Sequence, residues 1–545
     1  MGGQRPQHLR DSASPGNGSI QRQALMNKSQ SPGEELPGLA GGGAAPVPEP
    51  VLSPARPRVK LVDRAQTSWQ MLDVERLLEA DHPARAIWEL AGRLKLDGFY
   101  APIEAVEGGA GRTPWDPRLL VSLWIYAYSR GISSAREIAR RCTYDPAFQW
   151  LCGLGEVNHH TLSDFRVDHA ASLRELFVQV LGVLSSEGLV SLERVMHDGT
   201  RIKAFAGADS FRREERLQEH LEAARKQVEA MGDPREDESK GKRAAQERAV
   251  RERQQRLEQA LEEVQKVRQA KRGEDKEQAR ASQSDPQARI MKQSNGGYAP
   301  SYNVQLSTEA SNRLIVGAEV SQSGSDFVHL IGAVAQVEAN LGRKPGQVVV
   351  DGGFTSRENI MAMAQQGVDL IGSLPEANPS SAGQQRQRGV SEKFHLDKFS
   401  YDAQQDIYRC PVGASLTAKG REFCPGVVLH KYVAKAEVCA ACQFRSECCP
   451  GNQHHGRSVI RAVHSPEVRQ FAQKMQTEEA RAIYRQRGAV AEFPHAWIKD
   501  KLGLKQFRLR GLIKVRMEVL WAALTYNIQQ WVRLSWRTKL QLATN

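Results

Sequence analysis

The sequence predicts an α/β protein, and three observations predict it. Residues 66–190 carry apolar side chains at helical spacing, as in Leu119, Leu120, Leu123, Tyr126 and Ala127 after Asp-Pro-Arg. From 191 to 375, short runs of strand formers alternate with helical stretches, the pattern of strands joined through helices. One such run, Val348-Val349-Val350, is continuously apolar and ends in Asp351, as a strand buried on both faces reads.

Each element has its own reason. Residues 1–65 are rich in Gly, Pro, Ser and Gln and bury too little apolar area to offset chain entropy, so a disordered tail is expected. Met26 and Met71 offer alternative starts for the chain. In the helical block 66–190, Gly131 can end one helix and Ser133 or Ser134 cap the next. That helix-turn-helix grammar sets Arg136, Arg140 and Arg141 on one stripe, either a DNA-binding face or the solvated face of a bundle. Thr161 is expected to cap a helix carrying Phe165 and Arg166. Residues 192–206 turn to strand chemistry, with Asp198-Gly199 as a turn or bulge signal.

An insertion at 209–283 places Leu217, Leu221, Ala224, Val228 and Met231, then Val250, Leu257, Leu261 and Val264, at four-three spacing. The breaker GDPREDESKGK lies between them, so a solvated helical hairpin is expected. Strands resume at YAPSYNVQLS and NRLIVGAEVSQ, and a helix at DFVHLIGAVAQVEANLG. Residues 376–398 read as a polar linker into a cysteine-rich module within 376–460, and 461–535 is helical.

Bulk properties bound the function. The chain's 545 residues suit two or three domains. A formal net charge of +12 favours polyanionic partners, nucleic acid first among them. No run of 18 apolar residues and no apolar secretory core occur, so a cytoplasmic protein without a membrane span is expected. Six of the eight cysteines crowd between Cys410 and Cys449, and intracellular clusters read as metal ligands more readily than as disulfides.

The residues that carry chemistry are Asp198 and Asp351. Each stands near the end of an apolar strand segment and each precedes Gly, which permits close approach of a ligand. Two aspartates on adjacent strands could share hard cations through oxygen ligands, leaving positions for phosphate and water. Two such ions stabilise the attacking and leaving oxygens of an in-line phosphoryl transfer. Any single Asp-Gly is more often a turn.

Taken in order, DGTRIKA, GYAPSYNVQ, VVVDGGF and YRQRGAVAEFPHAWIK resemble the signature of DDE transposases of bacterial insertion sequences. More narrowly they resemble the branch with a cysteine-rich insertion. The N-terminal DPRLLVSLWIYAYSRGISSAREIARRC and the closing FRLRGLIKVRMEVLWAALTYNIQQ resemble the same family, so the likeness spans roughly 70 to 535. It implies a ribonuclease-H-like catalytic domain in which Asp198, Asp351 and Glu492 hold two Mg²⁺ (or Mn²⁺) ions. The third motif, Tyr-x2-Arg-…-Glu-x6-Lys, falls on Tyr484, Arg487, Glu492 and Lys499. Water is then activated to cut at the transposon end, and the freed 3′-hydroxyl attacks target DNA. The partners implied are double-stranded DNA, as ends and as target, and a second copy of the chain on DNA, in a nucleoid-associated cytoplasmic setting.

On a continuous helix Glu492 and Lys499 share a face, one for metal and one for phosphate. Pro494 argues for a helix boundary near Phe493. Tyr484 and Arg487 read as contacts to phosphate or a displaced base, with a surface salt bridge as the rival for Arg487. The family's Gly-Phe-Gly-like element is replaced by FPHAW, where His495 and Trp497 are expected to alter DNA contacts. His197 reads as a packed strand histidine or a residue that tunes the site.

In the cysteine module, Cys439-Ala-Ala-Cys442 is a zinc half-site, completed by Cys410 and Cys448 or Cys449, with a Cys410–Cys424 pair as the alternative. Buried free thiols are the bland reading. Lys499, Lys501, Lys505, Arg508, Arg510, Lys514 and Arg516 interleave with leucines near the C-terminus, as phosphate-neutralising cations or as a solvated face. Two rivals to the enzyme are a non-catalytic DNA-binding protein and a nuclease that cuts without joining.

Overall fold

A computed structural model describes residues 67, 71–105, 113–230, 240–373, 380–451 and 454–544. The tail expected at 1–65 and most of the GDPREDESKGK breaker lie outside the described residues. The fold built below is that of the unit Met71–Asn545.

The helical block comprises α1 (Pro83–Arg93), α2 (Asp97–Tyr100), α3 (Pro117–Ser129), α4 (Ala135–Arg141), α5 (Pro146–Cys152), α6 (His159–Asp168) and α7 (Ala170–Ser186). Proline in the first turn of α1, α3 and α5 gives up an N–H that has no helical partner anyway. Gly131 follows α3 at φ +72, and Ser134 Oγ accepts from Glu137 N to cap α4. Thr161 does not cap α6. Asn158 does, three residues earlier, because Asn is the stronger cap and its side chain reaches His160 N at 2.8 Å. Arg166 is buried, its guanidinium 4.8 Å from the Trp124 ring and donating to the Ser133 carbonyl at 2.8 Å, so it clamps helices together.

The central sheet begins with β1 (Arg194–Lys203). The insertion follows, closed at its base by β2 (Phe211–Arg212) and β3 (Ala281–Ser282) around α8 (Glu214–Ala230) and α9 (Lys240–Ala270). Leu217, Leu221, Ala224, Leu257, Ala260 and Val264 form its separate small core. Then come β4 (Arg289–Lys292), β5 (Tyr298–Glu309), β6 (Ile315–Ser321), α10 (Leu330–Leu341), β7 (Gln347–Val349), α11 (Arg357–Gln365) and β8 (Asp369–Ile371). β5 pairs antiparallel with β1 on one edge and with β4 and β6 on the other, while β1, β7 and β8 run parallel. The turn or bulge expected at Asp198-Gly199 does not form. Asp198 pairs with Leu306 and Gly199 with Gln305 in unbroken register.

The cysteine module contains α12 (Ala382–Gln387), an antiparallel sheet of β9 (Ser400–Asp402), β10 (Ile407–Arg409), β11 (Ser415–Cys424), β12 (Val427–Ala434) and β13 (Ser458–His464), and the short α13 (Ala436–Ala440) and α14 (Arg445–Cys448). From residue 380 the expected linker is packed structure: Gln385 and Phe394 are buried, and Arg457 Nη2 donates to Gln385 Oε1 and the Phe394 carbonyl. Polar composition misled because these polar groups are internally satisfied.

The chain closes with α15 (Pro466–Lys474), α16 (Glu478–Arg485), α17 (Arg487–Asp500), α18 (Leu512–Trp531) and α19 (Arg537–Thr544). The boundary expected at Phe493 is absent, and α17 runs through Pro494. Proline removes one donor from the ladder. Burial of Val490, Ala491, Pro494 and Ile498 on the sheet outweighs that loss. α18 is buried nearly all round against α3, α7 and β6, with Asn527 exchanging both amide hydrogen bonds with Ile315. Helical block and sheet thus share one continuous core.

Candidate active site

In the parallel pair of β1 and β7, Met196 lies opposite Val349. β7 ends at that pair, and two residues further along each segment come Asp198 and Asp351, whose carboxylates are near enough for Asp351 to raise the Asp198 pKa. Asp198 Oδ1 accepts from Gly199 N at 2.9 Å and Asp351 Oδ1 from Gly353 N at 2.8 Å. Burial pushes the Asp198 carboxyl up to about 6; Arg487 and the Gly199 amide pull it down, and the Asp351 and Asp326 carboxylates add to the rise.

Asp326 is the residue sequence reasoning missed. It precedes α10, where an aspartate reads as an ordinary helix-start residue. Its Oδ1 accepts from Asn303 Nδ2 at 2.8 Å and Gln305 Nε2 at 2.9 Å, and its Oδ2 pairs with Arg201 at 3.0 Å. Gln305 Oε1 and Ser307 Oγ each lie 2.9 Å from a ring nitrogen of His197. Burial takes His197 down to about 4, so the imidazole is neutral near pH 7. This network lies directly against Gly199, where a Cβ would overlap Gln305 Nε2 and Asp326 Oδ1.

α17 lies across β1 and β5. Gly488, Glu492, His495 and Lys499 fall on one stripe of it, at helical spacing. Two of the four fix that stripe on β1. Lys499 Nζ donates to Thr200 Oγ1 at 2.5 Å, and burial lowers its pKa against the pull of Asp500 and Asp198. His495 is buried beside the Asp198 backbone, which favours its protonated form without a hydrogen bond of normal geometry, and burial drives the ring down to about 3. Glu492, one turn before His495, is exposed, and its Oε1 lies near Gly488.

Arg487 Nη1 is 3.5 Å from Asp198 Oδ2, buried, and without a hydrogen bond. Tyr484 is half-buried against the cluster of Met196, Val349, Ile371 and Val490. Trp497 faces inward, donating to Gln529 Oε1 at 2.8 Å. The fold therefore gathers Asp198, Asp351, Asp326, Arg487 and Lys499. Among the described residues no three His, Cys, Asp or Glu side chains lie close enough to hold a metal ion, so Glu492 is not closed on the aspartates. The donor set nevertheless fits a hard cation: the neighbouring carboxylates repel one another, and a divalent ion relieves that repulsion.

The two basic regions differ. Arg140 and Arg141 both pair with Glu137, at 2.6 and 2.9 Å, and Arg141 also with Asp145 at 3.1 Å, while Arg136 is exposed. Arg508 and Arg510 are exposed on the loop between α17 and α18. Cys410, Cys439, Cys442, Cys448 and Cys449 line one cavity of about 530 Å³. Ala414 N donates to Cys410 Sγ and Arg457 N to Cys439 Sγ, at 3.2 and 3.3 Å. A hydrogen bond from Cys448, with the Arg457 and Arg445 guanidiniums, holds the Cys449 thiol below its usual range. Cys424 is excluded from that cavity, because it sits at the tip of the β11–β12 hairpin.

Two interacting carboxylates, the Arg487 guanidinium 3.5 Å from one of them and the half-buried Lys499 ammonium are groups chemically suited to a divalent cation and a phosphate. Two family models narrow this: a Transposase domain (DUF772) matches residues 72–168, and a Transposase DDE domain matches residues 409–532. With those matches the chain is a DNA transposase of the DDE class, of the insertion-sequence type, which cleaves DNA and transfers strands. The DDE match contains Glu492 and neither aspartate. No curated protein matches. Among solved structures, a piggyBac transposase synaptic complex with hairpin DNA is similar over 83% of this chain and 81% of that one, at 9% identity and a TM-score of 0.22. No described helix is long and apolar enough to cross a membrane.

Proposed function

We propose that Asp198, Asp351 and Glu492 are the catalytic carboxylates of this transposase and hold two Mg²⁺ (or Mn²⁺) ions. The observation that carries the reading is that the parallel pair β1–β7 leads into Asp198 and Asp351, whose carboxylates interact, while α17, which carries Glu492, packs on β1. The order β6-β5-β1-β7-β8, with β5 alone reversed, supports a ribonuclease-H-like domain formed by 191–375 and 461–535. When bound, such ions polarise the scissile phosphodiester and lower the pKa of the attacking water.

The chain supplies the rest. Arg487 offers an unsatisfied donor to a phosphate oxygen, and Lys499 a cation one strand residue beyond Gly199. The neutral His495 excludes water behind Asp198. The Asp326 network holds β1 in register against β5. Glu492, being exposed, costs little to reorient toward a cation. Tyr484, half-buried against the Met196 and Val349 cluster, contacts DNA with Arg487, and the block 66–190, with Arg136 and Arg140, is a further DNA-binding face. The substrate is double-stranded DNA at transposon ends and target, bound by a homodimer in the nucleoid. The insertion at 376–460 holds a structural Zn²⁺ on Cys410, Cys439, Cys442 and Cys448 or Cys449. The amide-to-sulfur hydrogen bonds support that, since they stabilise thiolates.

The test uses the element's own end, pre-cleaved to a free 3′-hydroxyl, with plasmid target and Mg²⁺ or Mn²⁺. The unaltered protein joins the two, while Asp351→Asn and Glu492→Gln yield no joined product. Full strand transfer by Asp351→Asn ends the proposal.

A further inference from the structure

The solvated helical hairpin expected at 209–283 has one face that is not merely solvated. Arg256 of α9 meets Arg508, Arg510 and Lys514 around a cleft of about 650 Å³, which also contains Phe205 at the exit of β1. Glu252, 3.7 Å from Arg256, is the single carboxylate among the lining residues. Four cations sharing one acid make this cleft strongly positive, a potential that attracts an anion.

The loop that carries Arg508 and Arg510, and the start of α18 that carries Lys514, are pinned from below. Glu518 accepts from the backbone N–H groups of Arg508 and Leu509 at 3.1 Å. Asp285 accepts from Gly511 N at 3.1 Å, and Gln287 from Leu512 N at 2.6 Å. The Arg510 guanidinium stacks 4.6 Å from the centre of the half-exposed Phe205 ring, so its direction is set as well. Partial burial and the neighbouring Arg510 charge hold the Arg256 guanidinium below its usual range. The loop backbone and the Arg510 guanidinium are thus held in place before any partner arrives.

We propose that this cleft, shared by the inserted hairpin and the α17–α18 loop, grips the phosphodiester backbone of duplex DNA several base pairs from the cut. The proposal rests on the active-site reading above. β1 supplies the ruler: Asp198 to Lys203 is five strand residues, about 16 Å, or about five base-pair steps along the duplex. Beyond Lys203 the chain enters the cleft at Phe205.

The experiment titrates the full chain against a labelled 30-base-pair duplex of random sequence by fluorescence anisotropy, between 50 and 200 mM salt. Arg256→Ala with Lys514→Ala should lower the slope of log affinity against log salt by about 1.8, at about 0.9 per lost phosphate contact. Over that salt range, the unaltered protein's affinity should then fall about twelvefold more than the variant's. Glu222→Ala/Glu229→Ala on the exposed face of α8 is the control and should leave the slope alone; unchanged thermal unfolding checks the fold. An unchanged slope in the cation variant, with normal binding by the unaltered protein, overturns the proposal and leaves the active-site reading standing. Absence of duplex binding by the unaltered protein removes both.

Discussion

The carboxylate cleft on β1 and β7 and the cysteine cavity beside β10–β12 both collect metal-ligating side chains, yet their charge states are prepared in opposite ways. At the cleft, burial pushes Asp198 up to about 6, so the carboxylate resists its charge until a cation arrives. At the cavity, a hydrogen bond from Cys448 and two guanidiniums pull Cys449 down while Cys448 itself is pushed up, so one thiolate of this pair is favoured beforehand. A catalytic ion must exchange ligands during the reaction, whereas a structural ion need only be held. The difference also lies in the backbone, since strand register positions the aspartates and turns with short helices position the cysteines.

The comparison is broken most severely by exchanging which region matters for activity. Asp198→Asn/Asp351→Asn should remove divalent-ion binding by calorimetry and lower strand transfer at least a thousandfold, about 4 kcal/mol of barrier. Cys439→Ser/Cys442→Ser should leave that calorimetric signal intact. The same cysteine pair should instead lose one equivalent of zinc by elemental analysis and several degrees of thermal stability, since structural metal binding is folding free energy.

A smaller effect sharpens the electrostatic contrast. The folded Asp198 carboxyl is raised to about 6, above an unfolded value of about 3.9, so its protonated form favours the folded state. That contribution is full below about pH 4 and is lost as pH rises through 6. Asp198→Asn should therefore stabilise the metal-free protein at pH 7 by roughly 1–2 kcal/mol and change little at pH 4, read by denaturant melts at both values. If Asp198→Asn destabilises at pH 7, burial is not what governs this carboxyl. Least in energy, Cys449 in metal-free protein should be alkylated at pH 7 several-fold faster than Cys424, measured by peptide mass spectrometry. Equal rates would mean the guanidiniums do not favour the Cys449 thiolate.

Much of the fold was legible from local signals. Ser134, Gly131 and the prolines of α1, α3 and α5 act within one turn of themselves, so their roles are readable without tertiary structure. Asp351 was legible as a residue at the end of an apolar strand, whereas Asp198 lies mid-strand in β1 because pairing with β5 carries the strand through the Asp-Gly signal. Pro494 was misread because a missing hydrogen bond is a local cost, while burial of four neighbours is a tertiary gain. Asp326 was missed because its partners Arg201, Asn303 and Gln305 come from two other strands. The basic runs at α4 and after α17 look alike as sequence. They part company because Glu137 and Asp145 neutralise most of one, and the other faces Arg256 from an insertion some 250 residues away.

By itself the sequence determined the helical block, the apolar strand runs and where positive charge is concentrated, because each depends on near neighbours in the chain. Only the tertiary structure decided that Asp198 stands beside Asp351, that Arg487 and Lys499 close over β1, that Glu492 remains exposed, and that Cys424 is left out of the thiol cavity. Those outcomes follow from strand register and helix docking, in which a shift of one residue turns a side chain to the opposite face.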